Sequence, residues 1–270
     1  MSLPVSVQII TLNEEANIAD CVHAIQMNNP AEIVVIDGGS TDRTVEIARN
    51  SGAIVLSPGK LGRGASRHLG YTWTNQPYVA MVDADDRIRP DWLEISIGEL
   101  QEGCYAGLQS CLRTTSRRTF WERGWDEYFR ESIRPLSDTV MVGHPSVYRT
   151  DALLGAPADI GNDHEDTQMS LDFERRGLRQ GIGTAVSCRV VPELWADNAK
   201  KWLAYGRGYR AFVRRHPERR RAILRHMTVT IPLARGLRPL TRGQIESPAF
   251  CATMAATIIV GFITGPSRSL

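Results

Sequence analysis

The stretch that decides the fold of this 270-residue chain is Tyr78-Val79-Ala80-Met81-Val82-Asp83-Ala84-Asp85-Asp86-Arg87-Ile88-Arg89-Pro90. Its first part is apolar and includes two β-branched residues, a composition typical of a buried strand. Three carboxylates follow within four positions. Because ligands bind at the carboxyl ends of strands in an open α/β sheet, the pattern predicts a binding site directly after this strand.

Carboxylates this close together repel one another unless a cation neutralises them. Hard divalent ions such as Mg²⁺ and Mn²⁺ take oxygen ligands and bridge to phosphate groups. Asp83-Ala84-Asp85 is therefore a candidate metal and diphosphate site. The alternative is a solvated acidic turn in front of a helix that opens at Pro90-Asp91.

Three more strands precede this stretch. They are predicted at 5–10, 33–36 and 53–56, with helices between them. Such alternation builds a parallel sheet whose strand-to-helix loops share one edge, so Asp37, the glycine loop around Gly62 and the Asp83 cluster should converge. The sequence carries neither a dinucleotide-binding glycine motif after the first strand nor the Gly-Lys-Ser/Thr end of a P-loop.

Four successive motifs resemble those of family 2 glycosyltransferases. They are Thr11-Leu12-Asn13-Glu14-Glu15, Val35-Ile36-Asp37-Gly38-Gly39-Ser40-Thr41-Asp42, Gly64-Ala65-Ser66-Arg67-His68 and Val82-Asp83-Ala84-Asp85-Asp86. The resemblance covers about residues 4–180. It implies an inverting enzyme of α/β class and GT-A fold, with a Rossmann-like, mainly parallel sheet flanked by helices, a nucleotide-sugar donor and Mn²⁺ or Mg²⁺ as cofactor.

The resemblance also implies roles for single residues. Asp85 would ligate the metal, with Asp83 as a second candidate ligand that would also contact ribose or phosphate. Arg67 would approach the donor, whereas without the resemblance a solvated helix charge is the simpler interpretation. The nucleoside pocket would be lined by Thr11, Glu14 and Asp37. Gly38 and His68 depart from the residues of many members, which leaves the base of the donor open.

A second acidic motif precedes a predicted helix and reads Gly161-Asn162-Asp163-His164-Glu165-Asp166-Thr167. It is similar to the family's Glu-Asp motif, and the match makes Asp166 the catalytic base that deprotonates the acceptor hydroxyl. Asp163 and Glu165 are the next candidates. The alternative is an acidic helix start that interacts favourably with the helix dipole. His144 is predicted either to touch the acceptor or to be structural.

Aromatic residues cluster between residues 120 and 129, where Trp121, Trp125 and Tyr128 have helical spacing. Core packing is the commoner explanation for such a stripe. A sugar-stacking or membrane-interface surface is the alternative.

Charge is distributed unevenly along the chain. Residues 1–199 carry 18 basic and 28 acidic side chains, whereas residues 200–242 carry 13 basic and one acidic. The apolar stretch 249–264 follows, which is short for a membrane span. Together these segments favour an anionic membrane surface over nucleic acid, for which the sequence holds no motif. A C-terminal helix packed on its own domain is the alternative.

Cysteine usage and the N-terminal sequence indicate the compartment. Five cysteines form no C-x-x-C pair, and the first residues lack a signal-peptide pattern, so a cytoplasmic, peripheral enzyme at the inner face of the cell membrane is predicted. The predicted organisation is a nucleotide-sugar half at 1–103, an acceptor half of the same GT-A domain at 104–195, and a basic, apolar membrane-associating region at 196–270.

The predicted activity is hexosyl transfer to a hydroxyl of a glycan or polyprenyl-linked acceptor. A sugar-phosphate nucleotidyltransferase is the first alternative, because such enzymes also place acids at the edge of a parallel sheet. A non-catalytic, membrane-associated nucleotide-sugar-binding protein is the second.

Overall fold

The computed structural model describes residues 2–139, 142–156 and 164–265. The chain divides into two units. Unit 1 comprises Met1–Leu112 and Arg134–Arg189, and unit 2 comprises Arg113–Ile133 and Val190–Leu270. This division differs from the sequence-based one, because residues 113–133 group with the C-terminal region rather than with the acceptor half.

The first half of the sheet in unit 1 is parallel, as the sequence predicts. Its strands are β1 (Leu3–Thr11), β2 (Pro30–Asp37), β3 (Ile54–Leu56) and β4 (Tyr78–Asp83). They lie in the order β3-β2-β1-β4, and every pairing among them is parallel. Thr11 is level with Asp37, and Ile10 is level with Asp83. The polar residues that end the three strands therefore lie at one edge of the sheet.

Helices cover these strands. They are α1 (Ile18–Gln26), α2 (Thr44–Asn50), α3 (Arg63–Trp73) and α4 (Trp92–Glu102). The predicted apolar face of α1, from Ile18 to Ile25, is fully buried in the core, together with the alternate residues of β1. Burial of each such aliphatic side chain stabilises the fold by roughly 1.5–3 kcal/mol.

The second half of the sheet is antiparallel, so the prediction of a mainly parallel sheet holds only for the first four strands. It contains β5 (Asp86–Ile88), β6 (Gly107–Thr114), β7 (Ser137–Asp138), β8 (Ser146–Arg149) and β9 (Gln180–Arg189), with helices α6 (Thr150–Leu154) and α7 (Glu165–Arg175). The full order is β3-β2-β1-β4-β8-β6-β9-β5, and β7 pairs with β9. These strands are short or contain small polar residues, so their periodicity is weak in the sequence.

Unit 2 is helical among its described residues, apart from the end of β6. It contains α5 (Phe120–Ser132), α8 (Trp195–Arg215), α9 (Arg220–Arg225) and α10 (Ser247–Thr264), with 3₁₀ turns at Pro217–Arg219 and Arg238–Arg242 and a π-helical stretch at His226–Arg235. Trp125 is buried against Trp202 and Phe250, with ring centroids 6.0 and 5.7 Å away. The aromatic stripe of α5 is therefore mainly core, and Trp125 also donates a 2.7 Å hydrogen bond to Asn198.

Two glycines let α8 and α10 approach at backbone distance. A β-carbon at Gly206 would lie 2.0 Å from the carbonyl oxygen of Ile258, and one at Gly261 would lie 2.4 Å from that of Leu203. Such distances exclude every side chain. Helix α10 is the one helix among the described residues whose length and composition would suit a membrane span, and 39% of it is buried.

We expect Gly206→Ala to destabilise the protein by about 1–3 kcal/mol, because the added methyl group overpacks a backbone contact. Gly98→Ala is the matched control. Gly98 lies in α4 with open space where its β-carbon would be, so the same change there should stabilise the protein by up to about 1 kcal/mol. Urea denaturation measures both. Equal effects of the two changes would contradict the close approach.

Part of the basic segment is neutralised inside unit 2. Arg242 Nη2 lies 2.5 Å from a carboxylate oxygen of Glu131 and 3.4 Å from one of Glu127, and Arg238 Nη1 lies 3.7 Å from Glu131. Both carboxylates are at least nine-tenths buried. The same segment exposes large apolar side chains, namely Val229, Leu233, Leu237 and Leu240. Not all of the +12 charge of residues 200–242 is therefore available to an outside partner.

Candidate active site

The acid cluster forms where β4 ends and β5 begins. One carboxylate oxygen from each of Asp83, Asp85 and Asp86 lies within 4.8 Å of the others. The backbone N–H of Asp83 donates to Asp86 Oδ2 at 3.1 Å, which closes the turn. The three carboxylates predicted to meet at a strand end thus do so.

Two arginines hold this cluster. Arg67, which is 1% exposed, donates from Nη2 to Asp83 Oδ1 at 2.6 Å. Arg189 donates to Asp83 Oδ2 at 2.9 Å and, through Nε and Nη2, to both oxygens of Asp86 at 2.7 and 2.8 Å. The Arg67 atoms Nε and Nη1 have no hydrogen-bond partner among the described residues. Arg67 therefore reaches the site through Asp83, and its role towards a donor stays a prediction.

Sequence reasoning missed Arg189. It is directly opposite Asp86 in the antiparallel pair of β5 and β9, an arrangement in which side chains contact. Only an indirect indication of Arg189 was present in the sequence. Three neighbouring acidic side chains need compensating positive charge, and a metal ion was predicted to supply all of that charge.

The arginines set the protonation of the cluster. Burial opposes ionisation of Asp83, but the nearby Arg67 and Arg189 outweigh it and hold its pKa well below the usual range. Burial raises the pKa of Asp86 to about 7 against the attraction of Arg189. Asp83 is therefore firmly ionised, while Asp86 is the fully buried member that fixes Arg189.

The donor atoms fit a hard divalent cation. All three groups offer carboxylate oxygens, the ligand type that Mg²⁺ and Mn²⁺ prefer. Asp83 and Asp86 each accept close hydrogen bonds from Arg189, whereas the nearest Asp85 oxygen is 3.6 Å from Arg189 Nε. The assignment of Asp85 as metal ligand, with Asp83 as the second candidate, stays a prediction that this cluster is able to accommodate.

The loops after β1 and β2 are tied together. Gly38 N–H donates to the carbonyl oxygen of Thr11 at 2.8 Å, and Asp37 accepts 3.1 Å bonds from the backbone of Gly39 and Ser40. Glu14 N–H donates to Thr44 Oγ1 at 2.7 Å. The structure therefore brings together Thr11, Glu14 and Asp37, the three residues predicted to line a nucleoside pocket.

Gly38 lies close to two neighbouring loops. A β-carbon there would lie 3.3 Å from the oxygen of Thr11 and 3.6 Å from that of Leu61, which belongs to the glycine loop before α3. The second distance is ordinary contact, so a side chain at this position would require a shift of only a few tenths of an ångström at Thr11.

The candidate base lies at the start of α7. Asp166 is partly exposed, and its Oδ1 accepts a 2.7 Å hydrogen bond from Thr167 N–H. Glu165 is buried, with its Oε2 3.5 Å from Arg63 Nε, and burial followed by repulsion from Asp166 raises its pKa. Asp166 is the more accessible of the two carboxyl groups, and its role as the base stays a prediction. The rival Asp163 lies outside the described residues.

His144 belongs to this site. Its Nδ1 is 2.8 Å from Ser146 Oγ, and its buried Nε2 has no hydrogen-bond partner among the described residues. Burial, assisted by Arg67, lowers its pKa to about 3, although the carboxylates of Asp83 and Asp166 oppose this. The imidazole is therefore neutral, and it feels the charge of both a candidate ligand and the candidate base.

Residues 6–154 match the model of a protein family described as glycosyl transferase family 2. The chain belongs to glycosyl transferase family 2. A low-salt glycan biosynthesis hexosyltransferase of Haloferax volcanii is 42% identical over 85 residues, which are 30% of this chain and 20% of that protein. A 4,4'-diaponeurosporenoate glycosyltransferase of Staphylococcus aureus is 33% identical over 118 residues, covering 41% and 32%. The chain thus spans a third or less of these relatives' length.

Solved structures confirm the predicted GT-A fold. A glucosyl-3-phosphoglycerate synthase of Mycobacterium tuberculosis in complex with phosphoglyceric acid superposes with a TM-score of 0.59 at 22% identity, covering 78% of this family 2 chain and 79% of that chain. The same synthase in complex with Mn²⁺, UDP-glucose and phosphoglyceric acid gives 0.56 at 23% identity, with the same coverage. At such identity the likeness shows the fold alone.

Proposed function

We propose that this chain is an inverting glycosyltransferase that moves a hexosyl group from a nucleotide-sugar donor to an acceptor hydroxyl. One observation carries the proposal. Helix α3 contacts both acidic motifs: Arg67 donates to Asp83 Oδ1 at 2.6 Å, and Arg63, one turn earlier, has its Nε 3.5 Å from Oε2 of Glu165, the neighbour of Asp166. Family membership and the structural neighbour that binds Mn²⁺ and UDP-glucose support it.

Each residue then has a defined task. Asp166 takes the proton of the acceptor hydroxyl as its oxygen attacks the anomeric carbon from the face opposite the leaving diphosphate, which inverts the configuration. Asp85 and Asp83 would hold a divalent ion, which would supply positive charge for the leaving group. Arg67 and Arg189 keep Asp83 in place, and Arg189 also donates to the carbonyl oxygen of His144.

Screening purified protein against nucleotide sugars tests this function. Hydrolysis and thermal shift would be measured with UDP-, GDP-, ADP- and dTDP-sugars, each with Mn²⁺, Mg²⁺ or EDTA. We expect one donor class to be hydrolysed and to stabilise the protein. Hydrolysis of none, combined with release of pyrophosphate from a nucleoside triphosphate and a sugar phosphate, would favour a nucleotidyltransferase instead.

We expect Asp85→Ala to abolish both activity and the metal dependence of nucleoside-diphosphate binding, because carboxylates are poor neighbours for phosphate without a cation. Calorimetry with the matching diphosphate in Mn²⁺ and in EDTA measures this dependence. Asp91→Ala, at an exposed carboxylate before α4, is the control and should leave it unchanged. Equal affinity of the unmodified protein in Mn²⁺ and EDTA would refute the metal site.

The acceptor proposed here is a glycan or polyprenyl-linked hydroxyl at the inner face of the cell membrane. The basic segment 200–242 and the exposed apolar residues of unit 2 support a membrane location. Two relatives have names that refer to glycan biosynthesis and to 4,4'-diaponeurosporenoate. Flotation with anionic liposomes tests the location independently of the transfer reaction.

A further inference from the structure

A cavity of about 430 Å³ lies where the ends of α8 and α10 meet in unit 2. Three arginines line it, Arg210, Arg214 and Arg220, and the remaining lining residues are apolar. Phe262 and Ile263, at the end of α10, form part of this apolar side. No acidic side chain is among the lining residues. We call this cavity the arginine pocket.

One arginine of the pocket, Arg210, is held against α10, and the other two are exposed to solvent. Arg210 Nη1 donates to the carbonyl oxygens of Phe262 and Ile263 in the last turn of α10, where helix carbonyls need partners outside the helix. This contact joins α8 to α10 and gives Arg210 a structural role. Arg214 and Arg220 are exposed, so their guanidinium groups are accessible from solvent.

Arginines of the basic segment contact several different surfaces. Arg238 and Arg242 face the buried carboxylates of α5, and Arg235 donates to the hydroxyl of Tyr128. The pocket arginines lie together beside the apolar residues that line the pocket. Guanidinium groups match phosphate oxygens, and the apolar side matches a hydrocarbon chain. The combination suits an anionic group that carries an aliphatic tail.

We propose that the arginine pocket binds the phosphate headgroup of an anionic membrane lipid, with the first part of its acyl chain against Phe262 and Ile263. Ile263 is 67% exposed and Val260 is 51% exposed, so the end of α10 offers further apolar surface. The inference rests on the membrane location in the proposed function, but not on sugar transfer. It also limits the predicted membrane contact to the end of the apolar stretch 249–264, because the middle of α10 packs on α8.

Vesicle binding by charge-reversed variants of the full chain tests this site. The pocket variant combines Arg214→Glu with Arg220→Glu. The control combines Arg215→Glu with Arg221→Glu, which changes the same net charge at neighbouring exposed positions that do not line the pocket. Co-sedimentation uses phosphatidylcholine vesicles with and without phosphatidic acid. We expect the pocket variant to bind the phosphatidic acid vesicles at least about tenfold more weakly than the control.

A second variant examines the apolar side. Salt screens the attraction of the arginines but not the contact with the acyl chain. Ile263→Ser should therefore reduce mainly the binding that remains at high salt. Inorganic phosphate, added in excess, should compete only weakly, because it lacks the chain.

The outcomes are distinguishable. Equal losses in the two charge-reversed pairs would show diffuse attraction and overturn the pocket, as would strong binding of inorganic phosphate without vesicle binding. Thermal unfolding and nucleotide-sugar hydrolysis verify that each variant is folded. If the full chain hydrolyses a nucleotide sugar but ignores phosphatidic acid vesicles, the pocket assignment fails and the transferase stands. Vesicle binding without hydrolysis of any donor would give the opposite result.

Discussion

Asp166→Asn is expected to lower turnover at least about a hundredfold, the usual scale for loss of general-base assistance. The amide keeps the size of the carboxylate and can still accept the hydrogen bond from Thr167 N–H, so the start of α7 should not change. It cannot take a proton. Nucleoside-diphosphate binding should therefore stay unchanged, and steady-state kinetics with calorimetry would measure both quantities.

Glu165→Gln is the matched comparison, because it makes the same chemical change one residue earlier. Glu165 is buried beside Arg63, so its substitution should affect stability more than the chemical step. Wild-type turnover in Asp166→Asn together with a large loss in Glu165→Gln would transfer the role of base to Glu165.

Arg189→Met is expected to lower the free energy of unfolding by about 1–3 kcal/mol, the usual cost of leaving a buried polar group without its hydrogen bonds. The substitution removes both side-chain hydrogen bonds from Asp86, which is fully buried. Burial already raises the pKa of Asp86 to about 7, and without the arginine this pKa rises further, so the carboxyl takes up a proton. Asp83 would keep Arg67 as its partner. Urea denaturation monitored by tryptophan fluorescence measures the loss.

A double variant tests whether the loss of stability in Arg189→Met comes from Asp86. In the Arg189→Met background, Asp86→Asn replaces the titrating carboxyl with a neutral amide that keeps an acceptor for the N–H of Asp83. The double variant should be more stable than Arg189→Met alone at alkaline pH, where the carboxyl of Asp86 ionises without a partner, and similar to it at neutral pH. A loss below about 0.5 kcal/mol for Arg189→Met, the range of ordinary surface changes, would show that the arginine does not hold the cluster.

The part of the site that could be predicted from the sequence is the part whose residues lie close together along the chain. The strand before Asp83, the apolar face of α1 and the motif around Asp37 each lie within a few consecutive residues, so periodicity and turn chemistry reveal them. The ends of parallel strands then meet at one edge because the topology requires it. For these reasons Thr11, Asp37 and Asp83 could be placed near one another before any coordinates.

The remainder depends on contacts between distant parts of the chain. Arg189 is 103 residues from Asp86, and only the antiparallel pairing of β9 with β5 brings them together. The aromatic stripe of α5 was correctly expected to be core, but its partner α8 begins some 60 residues later, so the unit to which it belongs could not be predicted. His144 has no sequence signal beyond its residue type.

The contact between Gly206 and Gly261 also limits how unit 2 can move. Packed helices usually slide by small shifts that side-chain rotamers absorb, which is the basis of shear motions. Here backbone meets backbone, and no rotamer lies between α8 and α10 at this crossing. The two helices therefore cannot shear, and any rearrangement in this unit has to carry them together as one rigid body.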